Sequence, residues 1–362
     1  AASDVYKRQE SELLAIENEL KAPGSNEYGR VDRVAGWFLL ARMYLNAQTW
    51  INENKYQEAY AYAVKVIADG HYPLASDYRE IFLADNNTCK EIIWPLVQDG
   101  LRAQSSAGTN FYVKAFVNGP MDELYKTGVG SRGWGNVRAK VSLVDAFDAD
   151  DVMFDGNDTW GNNKKDKRAQ FMTALPNQVK DTWDVNMDMT STFTCGYGYI
   201  KWRNVTKEDE LCPSGDAYTS IDFPLFRTAD AYLMAAEAIL RGANGTQSEA
   251  LGYVNEVRTR AYMSGKYAKN GVRSDVSGEI TANELNLDFL LVERQKELAS
   301  ELTRRTDLIR FGKYTKGNNW DWKNGVRLGA DVDDKYNLFP IPESELTNNP
   351  TLVQNDGYKV IK

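Results

Sequence analysis

Glu293, Glu297 and Glu301 recur every four residues, among Arg294, Lys296, Arg304, Arg305, Asp307 and Arg310. A helix carries side chains at that spacing to one face, and a carboxylate pair is the apparatus of glycoside hydrolysis. The same pattern also makes ion pairs, because a guanidinium fits a carboxylate with two parallel hydrogen bonds. Charges that alternate this densely favour pairing over catalysis. The segment is therefore read as scaffold, together with Glu237 and Arg258.

Other reactive residue types offer less. His71 is the only histidine and sits in the helix-exit turn Asp69-Gly70-His71-Tyr72-Pro73. A Ser-His-Asp triad or a histidine-rich metal site would have to be built around that turn. Cys89, Cys195 and Cys212 have no metal-ligand spacing and cannot all pair. They read as free thiols, with a Cys195–Cys212 disulfide as the alternative that an exported protein would permit. Asp148, Asp150, Asp151, Asp155 and Asp158 supply oxygen ligands suited to Ca²⁺ but lack the ordered spacing and glycine of an EF-hand, so they read as a solvated acidic loop. No phosphate-cradling loop or dinucleotide fingerprint occurs, and neither a metal nor a cofactor is expected. A net charge of -8 argues against a nucleic-acid partner.

Aromatic residues are the larger signal. The chain carries 9 Trp, 20 Tyr and 13 Phe, more than a helical core requires, so some should be exposed for stacking. Asn110-Phe111-Tyr112 and Gly133-Trp134-Gly135-Asn136-Val137-Arg138 place rings beside polar groups in glycine-rich surroundings. Of the adjacent Phe111 and Tyr112, one can point inward. Tyr197, Tyr199 and Trp202 are weaker candidates, on a run whose alternation suits a strand with one solvent face. Trp37 and Trp94 lie in strongly apolar patterns and are assigned to the core. Trp320 and Trp322 lie in a loop rich in glycine and asparagine, and read as exposed.

The elements that must hold these residues are mainly helical. Glu10 to Leu20 reads as a short helix ended by Pro23-Gly24. Val31 to Asn46 follows, with Trp37, Leu40, Ala41 and Tyr44 on one face. Tyr56 to Ala68 returns with an alanine seam and stops at Gly70. A second pair, Thr228 to Leu240 and Ser248 to Ala261, has the same logic, with Ser248 as the expected N-cap. Such hairpins are tetratricopeptide-like, and two of them need further packing partners. Between them lies a long stretch of low periodicity, where function usually sits, entered by the strand-like run Glu91 to Val97. No hydrophobic run is long enough for a membrane helix.

Read in order, several segments resemble the SusD/RagB family of Bacteroidetes. They are Tyr232 to Ala238, Glu293 to Leu298, Glu301, Arg304-Arg305-Thr306-Asp307-Leu308-Ile309-Arg310-Phe311-Gly312, Phe339-Pro340-Ile341-Pro342, Asn349-Pro350 and Gln354 to Tyr358. The resemblance begins near Ser11. It implies a mainly α, tetratricopeptide-like scaffold with a large irregular middle region containing a few short strands. As one SusD-like domain over 1–362, it would comprise a first hairpin region (10–84), an irregular glycan-facing region (85–221) and a C-terminal hairpin, charged helix and strap (222–362). It also implies an outer-membrane surface lipoprotein that binds oligo- or polysaccharide without catalysis, for a SusC-like TonB-dependent transporter. The segment from Arg304, with Asn318 to Gly325, looks like the starch-binding branch. The glycan-binding residues expected are Trp134, Tyr112, Phe111, Asn110, Arg138 and Trp320. The alternative is a helical-repeat module that grips a peptide or the transporter. Family members begin with a signal and a lipidated cysteine, so this chain is expected to be processed or N-terminally incomplete.

Overall fold

A computed structural model describes residues 2–117, 122–153, 164–174, 178, 180, 195–263, 277–317, 326 and 329–359. The chain divides into two compact units, Ala1–Glu301 and Leu302–Lys362.

The first unit is built on two helical hairpins. Helix α1 (Ala2–Ile16) leads to α2 (Arg33–Leu45), the short α3 (Ala47–Ile51) and α4 (Tyr56–Asp69). Asp32 caps α2, accepting hydrogen bonds from the amides of Val34 and Ala35. The tail of α1 ends earlier than the sequence suggests, and its start reaches back to bury Tyr6 against Met43 and Ala47. Strand β1 (Ile92–Leu96) opens the middle region, followed by the short helices α5 (Thr109–Ala115), α6 (Asp122–Tyr125), α7 (Val141–Val144) and α8 (Ala149–Val152). The two-residue strands β2 (Phe171–Met172) and β3 (Gly198–Tyr199) pair antiparallel.

Strand β4 (Phe223–Arg227) pairs antiparallel with β1, setting Trp94 opposite Phe226 and Ile92 opposite Arg227. It runs straight into α9 (Thr228–Leu240), which returns through α10 (Gln247–Met263), and α11 (Leu287–Leu298) follows. Thr246 and Glu249 cap α10 reciprocally, the Thr246 amide donating to Glu249 at 2.7 Å and the Glu249 amide to Thr246 Oγ1 at 3.1 Å. The cap is thus Thr246, two residues before the expected Ser248.

Alanine is what lets these helices stack. Ala41, Ala59, Ala63, Ala231, Ala235 and Ala238 are buried between α2, α4 and α9, beside Phe38, Tyr44 and Met234. Trp37 is only partly buried: its indole N–H donates to Glu17 at 2.7 Å, and Lys65 lies over the ring. Trp94 packs edge-on against Phe226.

The second unit holds α12 (Arg304–Arg310) and α13 (Glu343–Asn348). Arg305 lies over Phe339 and Tyr314, 4.2 and 4.9 Å from the ring centroids. Its guanidinium donates to the carbonyls of Tyr336 and Asn337, while Asp307 pairs with Arg310 at 2.8 Å. Phe339 to Pro342 is extended as its prolines require. Gln354 clamps it by exchanging two hydrogen bonds with the Ile341 backbone.

Candidate functional site

Two constellations compete for attention, and burial separates them. In the first, Glu293 and Glu297 face inward from α11, and Glu301 follows in a turn where Ser300 adopts a left-handed φ of 62°. All three carboxylates are buried. Their partners come from distant segments, not from the same helix. Arg227, at the corner between β4 and α9, reaches Glu91 at 2.9 Å and both Glu297 and Glu301 at 2.6 Å. Arg168 holds Glu293 at 2.6 Å and Glu297 at 3.1 Å, Arg258 takes the other Glu293 oxygen at 2.6 Å, and Arg260 bridges Glu91 and Glu297. Lys201 pairs with Glu301 and sits 4.0 Å from the Phe82 ring centroid.

Burial alone would raise the Glu297 pKa, but Arg260, Arg227 and Arg168 together hold it well below the usual carboxylate range. Burial pushes Lys201 down to about 8, although Glu301 favours its charged form. Perturbed titration often marks a catalytic group. Here the carboxylates are buried and already bonded to cations, which is the arrangement of a structural ion-pair network. The glutamates are scaffold, as their spacing suggested.

The second constellation is at the surface. Helix α5 has seven residues, and its last carbonyls need partners. The loop 134–137 supplies them. The Trp134 amide donates to Lys114 at 2.8 Å, Gly135 to Val117 at 2.8 Å, and Asn136 and Val137 to Ala115 at 2.8 and 2.9 Å. Gly135 adopts φ of 59°, a conformation that glycine enters without steric cost. This docking brings Trp134 beside Phe111, with ring centroids 6.1 Å apart and planes inclined at 59°. Both rings are open to solvent, Phe111 at 44% and Trp134 at 37% of full exposure. Asn136 is exposed beside them.

The remaining expected site residues occupy supporting or interior positions. Tyr112 turns inward onto Trp202 and Phe223, with centroids at 5.4 and 5.6 Å. Asn110 is buried and donates to the Ser105 carbonyl at 2.9 Å. Arg138 is half-buried and donates to the Gly135 carbonyl at 2.6 Å, which holds the tryptophan loop from beneath. Burial lowers its pKa. Trp320, with Trp322 and the whole of 318–325, lies outside the described residues.

Tyr199 and Trp202 are each only 1% exposed, so their run is buried on both faces and has no solvent side. One ion pair near the tryptophan loop could not be read locally. Arg132, exposed and two positions before Trp134, forms an ion pair at 3.0 Å with the partly exposed Asp216. Eighty-four residues separate these partners, so local pattern could not find them.

The other reactive types are placed plainly. His71 is exposed and pairs with Asp69 in its turn, at 3.1 Å. All three cysteines are free thiols, so the Cys195–Cys212 disulfide is not formed. Asp151 is buried, accepting from the amides of Lys165 and Asp166, which corrects its reading as a solvated loop acid. Asp155 and Asp158 lie outside the described residues. Among the described residues no group of acidic, histidine or cysteine side chains could hold a metal, and no helix is long and apolar enough to cross a membrane.

Stacked alanine-seamed hairpins carrying an irregular region, which presents paired rings, define a helical-scaffold protein of the SusD kind. The chain belongs to the SusD family, whose family model matches residues 90–358. It is 32% identical over 387 residues to the starch-binding protein SusD of Bacteroides thetaiotaomicron, covering 99% of this chain and 66% of that protein. It is 25% identical to the SusD-like protein P25 of Formosa agariphila, covering 91% and 59%. The chain thus spans less than two-thirds of the length of either relative.

Solved structures share the fold. A SusD-like protein of Bacteroides fragilis superposes with a TM-score of 0.67 at 22% identity, covering 98% of this chain and 71% of that one. Surface glycan-binding protein A of Bacteroides thetaiotaomicron, in complex with laminarihexaose, gives 0.65 at 20% identity, covering 97% and 70%.

Proposed function

We propose that this chain captures an oligo- or polysaccharide at the outer cell surface without chemical turnover, for delivery to a SusC-like TonB-dependent transporter. The observation that carries this reading is the solvent-open pair Phe111–Trp134. A sugar ring has an apolar C–H face and a rim of hydroxyls. It is recognised by a flat ring for the face and polar side chains for the rim. Trp134 and Phe111 provide the faces, and Asn136 and Arg132, two positions either side of Trp134 in sequence, with Asp216 paired to Arg132, offer polar groups for the hydroxyls. Asn110, Tyr112 and Arg138 contribute by fixing the helix and loop from behind.

An α-glucan is the leading ligand, supported by the 32% identity to a protein named as starch-binding. Non-catalytic action is supported by the buried, ion-paired state of Glu293, Glu297 and Glu301 and by relatives that are named as binding proteins. A surface lipoprotein is the matching location.

An affinity-electrophoresis panel of amylopectin, laminarin, xylan, mannan and pectin tests the reading, with reducing-sugar release measured alongside. Retention on amylopectin without sugar release is expected. Retention on none of the five would favour the peptide-gripping alternative. Release of sugar that is abolished by Glu297→Gln or Glu301→Gln would overturn the scaffold assignment.

A further inference from the structure

A third exposed ring outside the Phe111–Trp134 pair is held at its hydroxyl by a buried carboxylate. Tyr28 keeps 50% of its full exposure, yet its hydroxyl donates to Oδ2 of Asp222, a buried carboxylate. The other oxygen of Asp222 accepts from the Gln98 amide at 2.7 Å. The Asp222 backbone is itself clamped by Asn86, whose side chain both receives from its amide at 2.9 Å and donates to its carbonyl at 2.8 Å. Burial, reinforced by Asp222, raises the Tyr28 pKa, so the phenol keeps its proton and remains the donor. An exposed ring fixed at its far end has little freedom left to lose when a ligand stacks on it.

This ring is linked by direct contacts to the Phe111–Trp134 pair. Gln98 shares Asp222 with Tyr28, and its side chain lies against Gly108, where an added Cβ would stand only 2.6 Å from Gln98 Oε1. Gly108 immediately precedes α5, and its carbonyl accepts the Phe111 amide at 3.2 Å. On the other side, Gly29 approaches Val97 so closely that a Cβ would meet Val97 Cγ2 at 2.8 Å. Leu96 and Val97 are exposed beside it. An amide and apolar side chains therefore continue from one exposed aromatic group to the other. Neither Tyr28 nor Gln98 was singled out by sequence, because their partner Asp222 lies more than a hundred residues away.

We infer that Tyr28, with Gln98 beside it, forms an outer subsite that receives sugar units of a longer chain already held on Phe111 and Trp134. The inference rests on the carbohydrate reading above and makes the site one for extended oligosaccharides over short ones. Tyr28 supplies a stacking face and Gln98 its amide for hydroxyls, while the ring pair remains the anchor.

Isothermal titration of parent, Tyr28→Ala, Tyr28→Phe and Trp134→Ala tests this, with maltotriose and maltoheptaose as one pair of ligands and laminaritriose and laminarihexaose as a second. Circular dichroism serves as the folding control. For the pair that the parent binds, Tyr28→Ala should weaken the long ligand at least fivefold and the trisaccharide less than twofold. Tyr28→Phe, which keeps the ring, should stay within twofold of parent on both, and Trp134→Ala should weaken both. If Tyr28→Ala binds the long ligand as the parent does while Trp134→Ala loses both, the subsite is refuted and the carbohydrate reading stands. Equal weakening of long and short ligands by Tyr28→Ala also refutes it, since the defect then lies in the anchor or the fold. If the parent binds none of the four, the carbohydrate reading falls and the subsite with it; if the parent binds and Trp134→Ala binds as the parent does, the anchor lies elsewhere on the chain and the subsite is refuted with it, while carbohydrate binding stands.

Discussion

Replacing Glu297 by Gln isolates the charge at the centre of the buried network while preserving its shape. The carboxylate accepts from Arg227 at 2.6 Å and Arg168 at 3.1 Å, and also pairs with Arg260. With an amide in its place, three guanidinium groups would share a buried space with one negative charge fewer. Removing one partner of a buried ion pair costs about 3–5 kcal/mol, most of it the penalty of leaving the opposite charge uncompensated. An unfolding entropy of about 2.1 cal/mol/K per residue gives about 0.76 kcal/mol/K for a chain of this length, so about 4 kcal/mol should lower Tm by about 5 °C. Differential scanning calorimetry at pH 7 reads this directly. A Tm within about 1 °C of the parent would show that the network is not buried as described, and the scaffold argument would fail with it.

Acid should weaken the fold through the same class of interaction. Burial opposes ionisation of Asp230, but Arg294 and Arg42 prevail and lower its pKa from the usual 3.8 to about 2. The unfolded chain therefore binds the proton first. This contribution of about 2 kcal/mol is fully present above pH 4 and is lost as pH falls toward 2. In melting scans from pH 7 to 2, the parent should lose more stability over that window than Asp230→Asn; parallel curves would contradict the assignment. In the second unit, Asp307→Ala should cost about 3 kcal/mol because Arg310 loses a buried partner. Arg305→Ala, which gives up two carbonyl contacts at a half-exposed position, should cost nearer 1 kcal/mol. Urea titration distinguishes the two, and equal losses would contradict the difference in burial assigned to Arg305 and Asp307.

What could be read from the sequence was what repeats locally. The alanine seams of α2, α4 and α9 stand out in sequence because close helix packing requires small residues at regular spacing. The apolar run at β1 was visible for a similar reason, and so was the extended Phe339–Pro342 segment. Long-range partners were invisible. Nothing near Glu297 indicates that Arg168, Arg227 and Arg260 converge on it, and the helical spacing suggested pairs along one helix instead. The pairing of Ile92 with Arg227 joins positions nearly half of the first unit apart in sequence. Tyr199 and Trp202 followed a pattern of alternation that predicts one wet face, but here the chain passes between two packed clusters.

Candidate-site residues were legible in part. Glycines around Trp134 pointed to an open ring, and of the Phe111–Tyr112 pair one indeed turns inward, namely Tyr112. That the tryptophan loop caps α5, and so reaches Phe111, depends on backbone hydrogen bonds that no sequence pattern announces.

The central claim is that Trp134 is the principal stacking ring of a carbohydrate site. Stacking sites of this kind bind with Kd of roughly micromolar to millimolar, corresponding to about 4–8 kcal/mol, and a dominant aromatic residue supplies a large share of such energy. Affinity electrophoresis of parent and Trp134→Ala in gels with and without amylopectin, with circular dichroism to confirm folding, is the most direct measurement. The account predicts that amylopectin retards the parent, while the folded variant migrates nearly as it does in the plain gel. Equal retardation of both proteins would contradict it and place the site elsewhere on the chain.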